Sequence, residues 1–203
     1  MNKNNLIRFA QSLLLLPFVT GTTVPLGSIL VDATKENTQT VFIQKQNIEA
    51  DGVLALNQVI DQKAKDLKSK ADAIDAYFEE HNMPLEGTGI KMVQEAEKNG
   101  LDWRLLPAIS VIESTGGRHA CKNVTHSFFG WGSCKINFKS DDEAIETVAM
   151  NLGGNDPDTD QHYADKTTEQ ILKKYNSVIP TYAKKVIKVM DEIGNNIETK
   201  ANV

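Results

Sequence analysis

The chain has 203 residues and a mass of 22.4 kDa, which suits one domain of ordinary size with extensions. Apolar residues make up 40% and charged residues 24%, close to globular averages, and this excludes wholesale disorder. The net charge of −5, without a Lys/Arg run, argues against nucleic acid as a partner, and no unbroken apolar stretch reaches the roughly 18 residues a multi-span membrane protein needs.

Residues 1–33 read as an export signal, with an uncleaved membrane anchor as the alternative. Lys3 and Arg8 make a positive start, and the apolar stretch from Leu13 to Val31 is broken by Pro17, Pro25 and Gly27. Val31 and Ala33 fit the −3 and −1 positions of a cleavage site. Residues 6–31 are the expected tether if the segment stays. Either way the chain is expected at the cell surface, in the periplasm or secreted. Export is oxidising, so Cys121 and Cys134 read as a disulfide, a loop closure contributing about 3 kcal/mol. A zinc site from both cysteines with His119 and His126 is the rival, but the spacing matches no CxxC or HxxxH pattern.

Residues 34–49 are polar and read as a linker. Residues 50–82 read as an amphipathic helix. Val53, Leu56, Ile60, Ala64, Leu67, Ala71, Ile74 and Phe78 recur every three or four residues, with charged residues on the other face. From Ile60 the spacing is that of a heptad seam, which allows weak self-association through residues 53–78. Residues 83–196 read as one helical domain and residues 197–203 as a tail. Helices are expected over 90–98, closed by Asn99-Gly100, and over 103–114, capped by Asp102, bent by Pro107 and stopped by Gly116-Gly117. Residues 118–139 read as a loop lobe with short strands. Ser140 to Glu143 is a capping box opening a helix to Leu152, and Thr167 caps another to Tyr175. Pro180 opens the last helix and Gly194 stops it, leaving a frayed end.

Glu113 carries the candidate chemistry. It follows Ile109, Val111 and Ile112 in the last turn of an apolar helix. Poor solvation and the negative helix end both disfavour its charged form and raise its pKa. A carboxylic acid held protonated near neutral pH is what glycosidic cleavage needs, because the leaving sugar oxygen must receive a proton. A surface Glu paired with Arg118 is the plainer alternative. Phe128-Phe129-Gly130-Trp131-Gly132 supplies rings for stacking on sugars and glycines for close backbone approach, with some rings reserved for a small core. Tyr175 and Tyr182 flank the last helix entry, as core or as cleft. Among Asp141, Asp142, Glu143 and Glu146, Asp142 is the candidate second carboxylate, since Glu143 is explained by its cap. Asp156, Asp158 and Asp160 alternate, but the stretch lacks the Gly and Glu of a calcium loop and reads as a solvated turn. No metal and no cofactor is expected.

Residues 83–194 resemble the glucosaminidase family of peptidoglycan hydrolases, within the lysozyme-like superfamily. The resemblance lies in Gly100-Leu101-Asp102 with Leu106-Pro107-Ala108-Ile109, in Ile112-Glu113-Ser114-Thr115-Gly116-Gly117-Arg118, and in Phe128-Phe129-Gly130-Trp131. It continues in Phe138-Lys139-Ser140 with Glu143-Ala144-Ile145, and in Tyr175 with Thr181-Tyr182-Ala183-Lys184-Lys185-Val186. It implies a two-lobed, mainly α fold and a substrate of β-1,4-linked amino sugars. It also implies Glu113 as catalytic acid, Tyr175 beside it, and Ser114, Phe129, Gly130, Trp131 and Tyr182 as substrate contacts. Tyr175-Asn176 is similar to a segment of soluble lytic transglycosylases, so reaction type stays open between these. A glycan-binding module of the same fold is the non-catalytic alternative.

Overall fold

The structure, a computed structural model, describes the backbone of residues 37–201 and the side chains of residues 54–197. The expected export signal and tether lie outside the described residues. The chain divides into two units, Met1–Glu49 and Ala50–Val203, and the second holds the features below. Its helices are α1 (Asn37–Glu80, begun in the first unit), α2 (Gly89–Lys98), α3 (Leu105–Ser114), α4 (Asp141–Leu152), α5 (Asp160–Tyr163), α6 (Thr168–Tyr175) and α7 (Tyr182–Ala201). The fold is mainly α, and no strand occurs among the described residues.

Helix α1 begins at Asn37, inside the stretch read as a linker. That stretch is polar but contains no Pro or Gly, and polarity alone does not break a helix. The apolar stripe of α1 divides in two. Ala71, Ala73, Ile74, Tyr77 and Phe78 are buried, whereas Leu54, Leu56, Val59 and Ile60 are each more than half exposed. The inner half of the heptad-spaced seam thus belongs to the chain's own core and is closed to a second helix. The outer turns of 53–78, from Leu54 to Ile60, are left exposed.

Helix α2 crosses close over α1. A Cβ at Gly89 would lie 2.4 Å from the Ala71 carbonyl oxygen, so only glycine fits there. Asp75 of α1 accepts from the Gly87 and Gly89 backbone N–H groups, both at 2.9 Å, and caps α2 from outside. At the other end Gly100 (φ +69) reverses the chain. Its N–H donates to the Glu97 carbonyl and that of Leu101 to Ala96, the stop expected from Asn99-Gly100.

Helix α3 is the centre of the core, and residues Leu105 through Ser110 are all buried. It starts two residues later than expected, because Asp102 spends its carboxylate on the Arg104 N–H and guanidinium (2.7–2.9 Å). Pro107 falls in the first turn, where no N–H has an intrahelical partner, so no bend is required of it. Helix α7 packs along α3 through Val186, Val189, Met190 and Ile193. It starts at Tyr182 instead of Pro180 and runs through Gly194 to Ala201, so neither the Gly194 stop nor a frayed end after it is found. Gly194 suits the packing instead, since a Cβ there would meet the Arg104 side chain at 3.3 Å. Burial of the α7 face outweighs the roughly 1 kcal/mol that an interior glycine costs.

Ser140 and Thr167 both cap where expected. Thr167 and Gln170 close a capping box by bonding reciprocally, whereas Ser140 accepts from the Glu143 N–H but Glu143 reaches past it to the Lys139 N–H, so that box is not closed. Between α3 and α4 the expected strands are replaced by one tight turn at Trp131–Cys134. Gly132, Ser133 and Cys134 all have φ near +60°, a left-handed conformation that pairs with no sheet.

The two halves of α1 should respond differently to truncation. Ile74→Ala is expected to cost about 2–5 kcal/mol and Leu56→Ala less than about 0.5 kcal/mol in denaturant unfolding. Equal losses would show that the outer half also packs.

Candidate functional site

Glu113 is the penultimate residue of α3. The helix ends on three left-handed residues, Thr115 (φ 55°), Gly116 (φ 59°) and Gly117 (φ 92°), and its last turn rises out of the core. Gly116 cannot carry a side chain, as its Cβ would lie 2.6 Å from Met83 Sδ. Val111, Ile112 and Glu113 are half-buried, in contrast to the sealed first turns.

Two neighbours fix the carboxyl. Tyr182, the first residue of α7, donates its hydroxyl to Glu113 Oε1 at 2.6 Å. Gly130 (φ +66) brings loop backbone to the other oxygen, and a Cβ there would lie 3.0 Å from Glu113 Oε2. Burial pushes the Glu113 pKa up, the Tyr182 hydrogen bond pulls it down, and burial wins. Burial and then the Glu113 hydrogen bond push the Tyr182 phenol far above its ordinary range, so it remains a donor.

Three more rings enclose the site. Tyr175 stacks on Tyr182 at 5.9 Å between centroids, and its hydroxyl donates to the Phe129 carbonyl at 2.5 Å. Trp131 lies 5.7 Å from Tyr175 and 6.2 Å from Tyr163. Gly130, Trp131, Gly132, Ser133 and Tyr175 line an open cavity of about 330 Å³. A larger groove of about 540 Å³ follows α1 and α2 and shares no residue with this one.

Glu113, Gly130, Trp131, Tyr175 and Tyr182 therefore meet in one place. Other candidates do not join them as expected. Tyr182 is only 2% exposed, so it contacts Glu113 and leaves no face for a ligand. Phe129 is 1% exposed and lies in the core beside Phe128, and only its carbonyl reaches the site. Ser114 is buried, donates to the Ser110 carbonyl and accepts from the Gly117 N–H, which makes it a helix-end fastener. Asp142 is exposed at the start of α4, where its charge acts on Lys91. Among the described residues Tyr182 is the sole side chain bonded to Glu113, and no carboxylate among them contributes to its shift. Arg118 does not pair with Glu113 either, since it donates to the His81 and Asn82 carbonyls. Tyr163 is the member that sequence reasoning passed over. It ends α5, one helical turn that follows an Asp-rich stretch and is too short to show a periodicity.

Cys121 and Cys134 form a disulfide, with Cα atoms 5.7 Å apart. This removes the thiolates that a zinc site would need. Asp156 accepts from the Asp158 N–H, as in a solvated turn, and the described residues hold no group of three or more side chains suited to a metal.

The raised Glu113 pKa makes a stability prediction. The native state binds the proton more tightly than the unfolded chain, so the Glu113 contribution is fully present below the unfolded pKa and is lost as pH rises through the native one. Glu113→Gln should therefore raise Tm relative to wild type more at pH 7 than at pH 4, by about 2–4 °C for each kcal/mol relieved. An equal difference at both pH values would refute the shift.

Compared with known proteins, the chain matches no family model, no curated protein and no solved structure.

Proposed function

We propose that the protein is an exported glycosidase that cleaves β-1,4 bonds in the glycan strands of peptidoglycan, with Glu113 as general acid. The observation that carries this is the Glu113 carboxyl itself. It is half-buried, raised in pKa, held by one phenol and set against a glycine beside an aromatic cavity. The sequence resemblance to glucosaminidases supports the same reading, with the helices as the body of a lysozyme-like fold and residues 118–139 as its small lobe. The disulfide is consistent with export.

In this mechanism protonated Glu113 gives its proton to the bridging oxygen as the C–O bond breaks. An incoming hydroxyl then attacks the sugar and returns a proton to the Glu113 carboxylate, which restores the acid. Trp131 offers a partly exposed ring for stacking on a sugar face. Tyr175 and Tyr182 act as positioning residues. Tyr182 orients the acid, and Tyr175 fastens the Phe129-Gly130 backbone opposite it.

A second reading comes from Tyr175-Asn176, the pair similar to a segment of soluble lytic transglycosylases. Besides a second carboxylate, which in two-acid glycosidases stands several Å from the acid without bonding it, the substrate itself can furnish the nucleophile, through an N-acetyl oxygen or a 6-hydroxyl. The first gives a hydrolase and the second a lytic transglycosylase.

Mass spectrometry of soluble peptidoglycan fragments separates these. Reducing ends at N-acetylglucosamine are expected, anhydro-muramic ends would move the reaction to transglycosylation, and Glu113→Gln should abolish either product. Products unaffected by that substitution would remove Glu113 from the mechanism.

The pH profile supplies a further check. Activity should fall on the alkaline side as Glu113 loses its proton. Tyr182→Phe removes the donor that stabilises the carboxylate, so the alkaline limb should move to higher pH while kcat drops. A limb that stays in place would separate Tyr182 from the acid.

A further inference from the structure

The loop that faces Glu113 has a charge opposite to that of the chain. Residues 118–139 contain Arg118, Lys122, Lys135 and Lys139 and no Asp or Glu, within a protein of net charge −5. Two of these cations are occupied. Arg118 binds the His81 and Asn82 carbonyls, and Lys139 lies 3.6 Å from Glu143. His126 is taken by Asp141 at 2.7 Å. Lys122 and Lys135 are exposed, and neither has an ion pair or side-chain hydrogen bond among the described residues.

The disulfide brings these two lysines together. Lys122 follows Cys121 and Lys135 follows Cys134, and the half-cystine Cα atoms are 5.7 Å apart. Adding one Cα–Cα step of about 3.8 Å on each side keeps the lysine Cα atoms within about 13 Å. Lys135 also stands two residues beyond Ser133, which lines the cavity beside Glu113. Two uncompensated cations thus flank the disulfide, one of them two residues from the lining of the cavity.

We propose that Lys122 and Lys135 form a cationic lip that selects glycan strands bearing carboxylates over neutral glycans of the same linkage. The proposal rests on the glycan-cleaving reading and names its substrate preference. The chain's overall negative charge would repel such a polymer at long range, and the lip reverses that sign at the point of entry.

The test is binding by the full chain carrying Glu113→Gln, which holds glycan without cutting it. The probes are insoluble peptidoglycan, the same material with its carboxylates amidated, and chitin as a neutral glycan. With Lys122→Glu and Lys135→Glu added, affinity for untreated peptidoglycan should fall about 5- to 10-fold at low salt. Affinity for the amidated material and for chitin should not change. Lys122→Arg with Lys135→Arg should retain binding, and the difference should vanish at about 0.5 M salt. Equal losses on all three glycans, or no loss on any, would overturn the lip. Failure of the Glu113→Gln parent to bind any of them would overturn the glycan reading, and the lip with it. Unchanged Tm in the charge-reversed protein confirms that folding is not the cause.

Discussion

A helix buried on every side cannot carry a charge along its length, and α3 is such a helix through Ser110. Its polar burden is deferred to the last turn, where the left-handed run of Thr115, Gly116 and Gly117 lifts the chain away from the core. Glu113 stands at that transition. It is buried enough to resist ionisation, yet it is not sealed like the first turns of the helix. The Tyr182 hydroxyl then resolves an otherwise costly burial by satisfying one oxygen, and it belongs to α7, the helix that packs most closely on α3. The acid's position therefore follows from core packing between two helices, with no separate scaffold needed.

The opposing loop is held by different means. Left-handed Ser133 and Cys134 each carry a backbone penalty on the order of 1 kcal/mol. Against this stand the disulfide and the burial of Phe128, Phe129 and Phe138. The rings pull the loop onto the core from both ends, and the Tyr175 bond to the Phe129 carbonyl sets its height. Gly130 completes the arrangement, because any side chain there would occupy the space in front of Glu113. The loop's irregular path is the form that lets backbone, and not side chains, face the acid.

Much of this could be read from the sequence, and the limits have physical causes. Caps were legible because they are local chemistry, and Ser140, Thr167 and Asn99-Gly100 act where their neighbours say they should. Glu113 was legible because an acid at the end of an apolar helix breaks the pattern. Residue types cannot tell which side of a ring faces water, so Tyr182 stays open between core and cleft in the sequence. The substrate contacts at Ser114, Phe129 and Tyr182 are implied by the resemblance alone, whereas packing claims both rings and the helix end consumes the Ser114 hydroxyl. The start of α1 lies earlier than polar composition suggests because polar residues do not by themselves break a helix, and α7 runs past Gly194 because its packing on α3 outweighs an interior glycine. The Asp75 carboxylate that accepts from the start of α2 is another such contact, with a sequence separation that no local motif spans.

The division of α1 also has a dynamic consequence. Its inner residues, from Ala71 to Phe78, are covered by the core, so their amide protons can exchange with solvent only when the domain opens cooperatively. The exposed turns around Leu54 to Asp66 rest on helix propensity and on surface pairs such as Asp66 with Lys70 at 2.6 Å. Their amides should exchange through local fraying, orders of magnitude faster, along one unbroken helix. A single secondary-structure element thus spans two regimes of protection, and the boundary between them, near Leu67, marks where the cooperative unit of folding begins.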